Sequence, residues 1–172
     1  MKIYTIQTTS ILPITRRYYA SYQFVRENEF TRDFVALYRW MAKHMHSPLR
    51  REKTAPIWGW MRYRLKKKSP DLSDAFLGVP GTECCLIKLE VPEEHVLASQ
   101  FEMWNWVLNG WKIKFNDEDC ERVSLKKSWE HIFDLSFGDD GFWGKKEHRP
   151  IQVVLPCIEP KWIRKIKFFT AT

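Results

Sequence analysis

The four cysteines Cys84, Cys85, Cys120 and Cys157 contain no C-x-x-C pair, and Cys84 and Cys85 are neighbours. Neither a zinc knuckle nor a disulfide framework is indicated. No apolar run approaches the ~18 residues of a membrane-spanning helix. The opening Met1-Lys2-Ile3-Tyr4-Thr5-Ile6 turns polar too quickly for a signal peptide. The phosphate-cradling patterns G-x-x-x-x-G-K-S/T and G-x-G-x-x-G are missing, as are H-E-x-x-H and G-x-S-x-G. Among the histidines, His44 and His46 stand two apart, a spacing that points them to different sides of a helix, so no metal pair is expected. No internal repeat or low-complexity segment is present. These absences leave a soluble, reduced, cytoplasmic protein, without metal or membrane association, as the expectation.

What the chain has in excess is tryptophan, with nine among 172 residues, and positive charge. Lys plus Arg number 28 against 21 Asp plus Glu, a net +7, and the pI is near 9.3. This balance favours a polyanionic partner. The length suits one globular domain over residues 1–172, because ~150 residues already bury about two thirds of their unfolded surface. Nine indoles exceed what such a core requires, and each buried N–H needs a partner, so some are expected to line a binding site.

Hydrophobic periodicity suggests an α+β fold with about three helices and a mainly antiparallel sheet. Residues 30–45 read as a helix with Phe30, Phe34, Leu37, Tyr38, Met41 and Met45 on one stripe, which leaves Arg39 and Trp40 projecting from the opposite face. Residues 99–109 read as a second helix, opened by a capping box between Ser99 and Glu102 and stopped at Gly110. Its expected core face is Phe101, Trp104 and Leu108. Residues 123–133 form the third, with Leu125, Trp129, Ile132 and Phe133 buried. Strands are expected at 2–7, 57–62, 84–91, 151–155 and 162–169, and acidic or glycine-rich loops at 116–122 and 136–149.

The segment 56–61 places Trp58 and Trp60 on one face of a strand, with Gly59 leaving the other face open to close approach. Directly after it come Arg62, Arg64, Lys66, Lys67 and Lys68. This basic run is read either as a solvated edge or as a phosphate or nucleic-acid contact beside the tryptophans. Residues 8–28, with Tyr18, Tyr19 and Tyr22, read as a helical turn and a loop that packs ordinarily or folds over a site.

Several segments together resemble an uncharacterised bacterial and phage family of unknown function: Ile3-Tyr4-Thr5-Ile6-Gln7, Tyr38-Arg39-Trp40-Met41-Ala42, Pro56-Ile57-Trp58-Gly59-Trp60, Trp104-x-x-Val107-Leu108-Asn109, Ser128-Trp129-Glu130, and Gln152 before Trp162-Ile163. The likeness runs over nearly the whole chain. More distantly, the opening strand, the aromatic middle strand and the late strand resemble the split sheet of ADP-ribosyltransferase-like enzymes. That resemblance implies an NAD cleft with Thr5 and Gln152 at the catalytic positions. Tyr4, Gln7, Arg39, Trp40, Trp58 and Trp60 would then contact the cofactor. Gln152 stands where those enzymes carry a glutamate, and a neutral amide cannot lend full charge to a ribosyl cation. Two functions stay open: an ADP-ribosyltransferase-like protein that binds NAD or a related nucleotide, and a non-catalytic module for nucleic acid or an acidic protein.

Overall fold

β1 (Lys2–Thr8) lies near the middle of one six-stranded sheet in the computed structural model, which describes residues 1–64, 69–74, 77–114, 123–138 and 141–172. The other strands are β4 (Ile57–Arg62), β5 (Glu83–Glu90), β6 (Leu97–Gln100), β7 (Ile151–Leu155) and β8 (Ile163–Thr170). Their order is β6-β7-β4-β1-β5-β8, and every neighbouring pair is antiparallel. The short strands β2 (Ala20–Ser21) and β3 (Thr54–Ala55) form a separate ribbon. Four α-helices complete the described residues: α1 (Tyr22–Glu27), α2 (Val35–Lys43), α3 (Phe101–Leu108) and α4 (Leu125–Ser128). The α+β class and the antiparallel sheet are as expected. The sheet is not split, because β4 bridges β1 on one side and β7 on the other without a gap.

Alternation along the strands divides the core into two layers. Ile3, Ile57, Ile87, Leu89, Val153 and Leu155 face one side and pack against Cys157, Ile158 and Trp162. Val154, Leu97 and Trp58 face the other, beneath Met41, Met45, Met103, Trp104, Val107 and Trp129. The central strands are thus covered on both faces, and each fully buried aliphatic side chain contributes ~1.5–3 kcal/mol. Gly59 sits where this packing is tightest. A Cβ there would stand 2.9 Å from Ile3 Cγ2 and 3.0 Å from the Tyr4 carbonyl oxygen, so the expected close approach is real.

Several expected boundaries move. The first helix starts not at 30 but at Val35, after a 3-10 turn at Arg32–Phe34, and Phe30 is exposed. Its Trp40 does not project free: the ring stacks on Phe133 at 5.7 Å and meets Trp129 edge-on at 5.8 Å. The capping box is absent. Ser99 lies in β6, a strand that the reading by periodicity missed, and Gln100 occupies the cap position without a side-chain cap bond. Pairing of residues 97–100 with β7 outcompetes the local cap. The buried face of α3 is Met103, Trp104 and Val107, with Phe101 and Leu108 only partly covered. The third helix shrinks to α4 and a 3-10 turn at Trp129–Phe133, and Leu125 is exposed. The loop expected at 116–122 lies outside the described residues, as do Cys120, Asp139 and Asp140.

Replacing Gly59 with Ala should lower stability by about 1–3 kcal/mol, since one of the two close contacts is backbone and cannot rotate away. A urea melt that leaves the midpoint unchanged would contradict that packing.

Candidate functional site

The sheet register assigns each expected site residue to a face. Tyr4 pairs with Trp60, Trp60 with Gln152, and Gln152 with Ser99, so these four side chains share one face. Thr5 and Gln7 alternate onto the opposite face, where the Thr5 hydroxyl donates to the Trp58 carbonyl at 2.6 Å and Gln7 Nε2 donates to Thr5 Oγ1 at 2.8 Å. The single cleft expected to join Gln152 with Thr5 and Gln7 is therefore not formed, because sheet parity puts the sheet itself between them. Trp58 packs between Tyr38 and Trp104, with ring centroids 5.2 and 5.1 Å away, and Trp60 packs against Phe101 and Tyr63. Trp58 packs against the core on the helical side, and both indoles are half-buried. Gln152 is 4% exposed, and its Nε2, the Ser99 Oγ and the Trp58 Nε1 are all buried without a hydrogen-bond partner. Each such unpartnered group costs about 1–3 kcal/mol of desolvation.

The expected cations are engaged at home. Arg62 donates from Nε to the Arg149 carbonyl at 2.6 Å and from a terminal nitrogen to the Lys146 carbonyl at 2.7 Å. Burial pulls its guanidinium below the ordinary arginine value, opposed by the nearby Glu147. Arg64 pairs with Asp74 at 3.4 Å and lies over the Tyr63 ring. Arg39 is exposed and sits over Tyr22 at 5.4 Å. Lys66, Lys67 and Lys68 lie outside the described residues. Burial pushes Tyr38 up to about 12 and Cys157 up to about 11. Tyr63 is also pushed up to about 12, by burial first and then by its hydrogen bond to Asp74.

Exposed aromatic surface gathers elsewhere, around Trp106. Helix α3 ends in a Schellman motif: Gly110, at φ 68°, donates to the Val107 carbonyl at 3.0 Å, and Trp111 N–H donates to the Trp106 carbonyl at 2.9 Å. This motif brings the residue after the glycine back onto the last turn, and the Trp111 ring meets Trp106 edge-on at 5.6 Å. Trp129 Nε1 donates to the Trp111 carbonyl at 2.9 Å and pins it. From the other side come Trp143, 5.0 Å from Trp106, and Phe142, 5.8 Å away. Phe142 is 68% exposed and Trp111 55% exposed.

A buried arginine shapes the loop that delivers Phe142 and Trp143. Arg149, 3% exposed, donates to the carbonyls of Phe137 at 2.6 Å, Gly138 at 3.1 Å and Gly144 at 2.8 Å. Gln100 adds bonds to the carbonyls of Asp134 and Phe137. Gly138, at φ 89°, admits the Trp143 ring, since a Cβ there would come within 2.5 Å of its Cδ1. Beside these rings opens a cleft of about 380 Å³ lined by Glu102, Trp106, Phe142, Trp143, Lys145 and His148. The arrangement can stack planar groups on exposed rings and set a cation beside them. The tryptophans and cations expected to form a site lie on and after β4, whereas this cluster draws on Trp106, Trp111 and Trp143. The glycine stop after α3 with Trp111 behind it was the signal that pointed here.

A family model described as Domain of unknown function (DUF3841) matches residues 2–125. The chain belongs to the DUF3841 family. The DUF3841 match takes in Trp106, Trp111 and all strands from β1 to β6, and ends before β7, β8 and the loop bearing Phe142 and Trp143. Neither a curated protein nor a solved structure matches the chain.

Gln152→Met should be neutral or stabilising in thermal unfolding, because it replaces a buried amide with an unpartnered nitrogen by an apolar side chain of similar volume. A loss above about 1 kcal/mol would reveal a partner for that amide. Arg149→Lys should cost about 2–4 kcal/mol, as one ammonium cannot reach the three carbonyls that the planar guanidinium spans. Chemical denaturation with an unchanged midpoint would dismiss the staple.

Proposed function

We propose that this protein is a binding module for single-stranded nucleic acid, without chemistry of its own, and that bases stack on the ring cluster around Trp106. The observation that carries this reading is the exposure of Phe142, which lines the cleft with Lys145, and of Trp111, which meets Trp106 outside that lining. Large apolar rings left in water are costly unless a partner covers them. Base stacking on one aromatic is worth ~1–3 kcal/mol and needs no sequence readout. The net charge of +7 supplies the long-range attraction that brings a polyanion to such a surface. The one carboxylate in the lining, Glu102, is exposed and carries little weight against that field. An ADP-ribosyltransferase-like protein taking NAD would require Gln152, Thr5 and Gln7 around one cleft. With those side chains on opposite faces of the sheet, nothing in the geometry favours that reading over the binding module.

A fluorescently labelled single-stranded oligonucleotide, titrated at several salt concentrations, tests the proposal. The double variant Trp111→Ala/Phe142→Ala should weaken binding about thirtyfold or more, two stacking contacts at ~1–3 kcal/mol each. Lys145→Gln should reduce the steepness of log affinity against log salt by about 0.7, the share of one single-strand phosphate contact. No binding at low salt, or equal binding by the double variant, would overturn the reading. Binding to a polyglutamate peptide in place of the oligonucleotide would reassign the cleft to an acidic protein partner.

A further inference from the structure

A second cavity, of about 570 Å³, opens where the end of β1, the 3-10 turn Thr9–Ile11, α1 and residues 77–84 meet, and it shares no lining residue with the cleft at Trp106. Its walls include the rings of Tyr18, Tyr19 and Phe24 and the carboxamides of Gln7 and Asn28. Phe24 and Val79 stand at it 60% and 45% exposed, apolar surface that a bound molecule would remove from water. Not one of its lining residues is charged, in a chain of which 28% is Asp, Glu, Lys or Arg. The volume, the apolar majority and the few convergent polar groups match the anatomy of small-molecule sites.

The polar groups are held rather than loose. Gln7 Nε2 donates to Thr5 Oγ1, whose hydroxyl is itself spent on the Trp58 carbonyl, so the carboxamide is turned and fixed from behind. That bond uses one of the two donors of the amide and none of its acceptor capacity. Thr8 Oγ1 and Ser10 Oγ are 2.7 Å apart at the same wall. The back of the pocket is tight. Gly78 is packed so that a Cβ would stand 3.2 Å from Cys84 Sγ and 3.0 Å from Ala171 Cβ. Burial raises the Cys84 thiol, so it stays protonated and adds no charge.

From this we infer that the cavity is a binding site for an uncharged planar aromatic ligand bearing an amide or similar hydrogen-bonding edge. The rings of Tyr18 and Phe24 take its faces beside Tyr19, whose ring Arg51 covers at 4.1 Å, and Gln7 takes its polar edge with the amide nitrogen of Asn28, whose Oδ1 accepts from the Phe30 N–H at 2.9 Å. Arg51 and Arg17 approach Tyr19 from outside the lining, at 4.1 Å from its ring and 3.5 Å from its hydroxyl, but an anionic analogue is disfavoured because no lining residue offers it a charged partner. This site is independent of the nucleic-acid reading and survives its failure.

Three matched pairs supply the test: benzamide and benzoate, indole-3-acetamide and indole-3-acetate, quinoline-2-carboxamide and quinoline-2-carboxylate. Each is titrated into the full chain and followed by two-dimensional NMR of the protein amides. At least one neutral member should shift the side-chain amides of Gln7 or Asn28 and the backbone amide of Thr82. It should bind at least about tenfold more tightly than its anion, the smallest ratio that an uncompensated buried charge allows. Ser10→Trp, which fills the mouth from an exposed position, should abolish those shifts, and Phe24→Ala should weaken them severalfold if the first variant misfolds. Absence of shifts from all three neutral compounds, equal binding of the anions, or shifts confined to Trp106 and Phe142 would each overturn the inference.

Discussion

The pairing of β4 with β1 on one side and β7 on the other is the constraint from which the rest of the molecule follows. It makes one continuous sheet of what would otherwise be two, and Gly59 permits it by letting Ile3 and the β1 backbone close over the position where a side chain would stand. Because side chains alternate strictly along each strand, the same pairing decides which residues can meet. Tyr4, Trp60, Gln152 and Ser99 fall together under the helical layer, while Thr5 and Gln7 fall on the other face and lead into the uncharged cavity. Two candidate sites thus arise at different places on one sheet, each with its own electrostatics.

The aromatic cleft depends on backbone carbonyls being satisfied by side chains from afar. Arg149 and Gln100 between them take up the carbonyls of Asp134, Phe137, Gly138 and Gly144, and Arg62 ties down those of Lys146 and Arg149. Carbonyls bonded in this way leave Phe142 in water while Trp143 packs half-buried against the core. On the facing side the Schellman motif at Gly110 does the same for Trp111. Rings held in place lose little further entropy on binding, which is what a stacking platform requires.

Much of the fold was legible in the sequence because alternation and amphipathic stripes report burial directly. The strand at 151–155 was expected with the bounds observed, and those at 57–62 and 84–91 lie within a residue of them. The strand Leu97–Gln100 was not legible, since its Ser99 and Glu102 spell a helix cap whose local bonds lose to pairing with β7. The tryptophans that strand alternation singles out, Trp58 and Trp60, are not those of the ring cluster around Trp106. Trp58 and Trp60 sit on a central strand, covered by Tyr38, Trp104 and Phe101 from distant parts of the chain. Nothing local distinguishes them from Trp111, whose 55% exposure follows from the helix stop at Gly110. Arg62 likewise reads as a phosphate contact in a basic run until its carbonyl partners, more than eighty residues away in the chain, are in view.

Indole N–H resonances resolve the tryptophans individually, and following them during titration with a single-stranded oligonucleotide tests the central claim most directly. The account expects the signals of Trp106, Trp111 and Trp143 to shift together and saturate while those of Trp58, Trp104 and Trp162 stay fixed. Shifts at Trp58 or Trp60 with Trp111 and Trp143 silent would contradict it, and would return the site to β4.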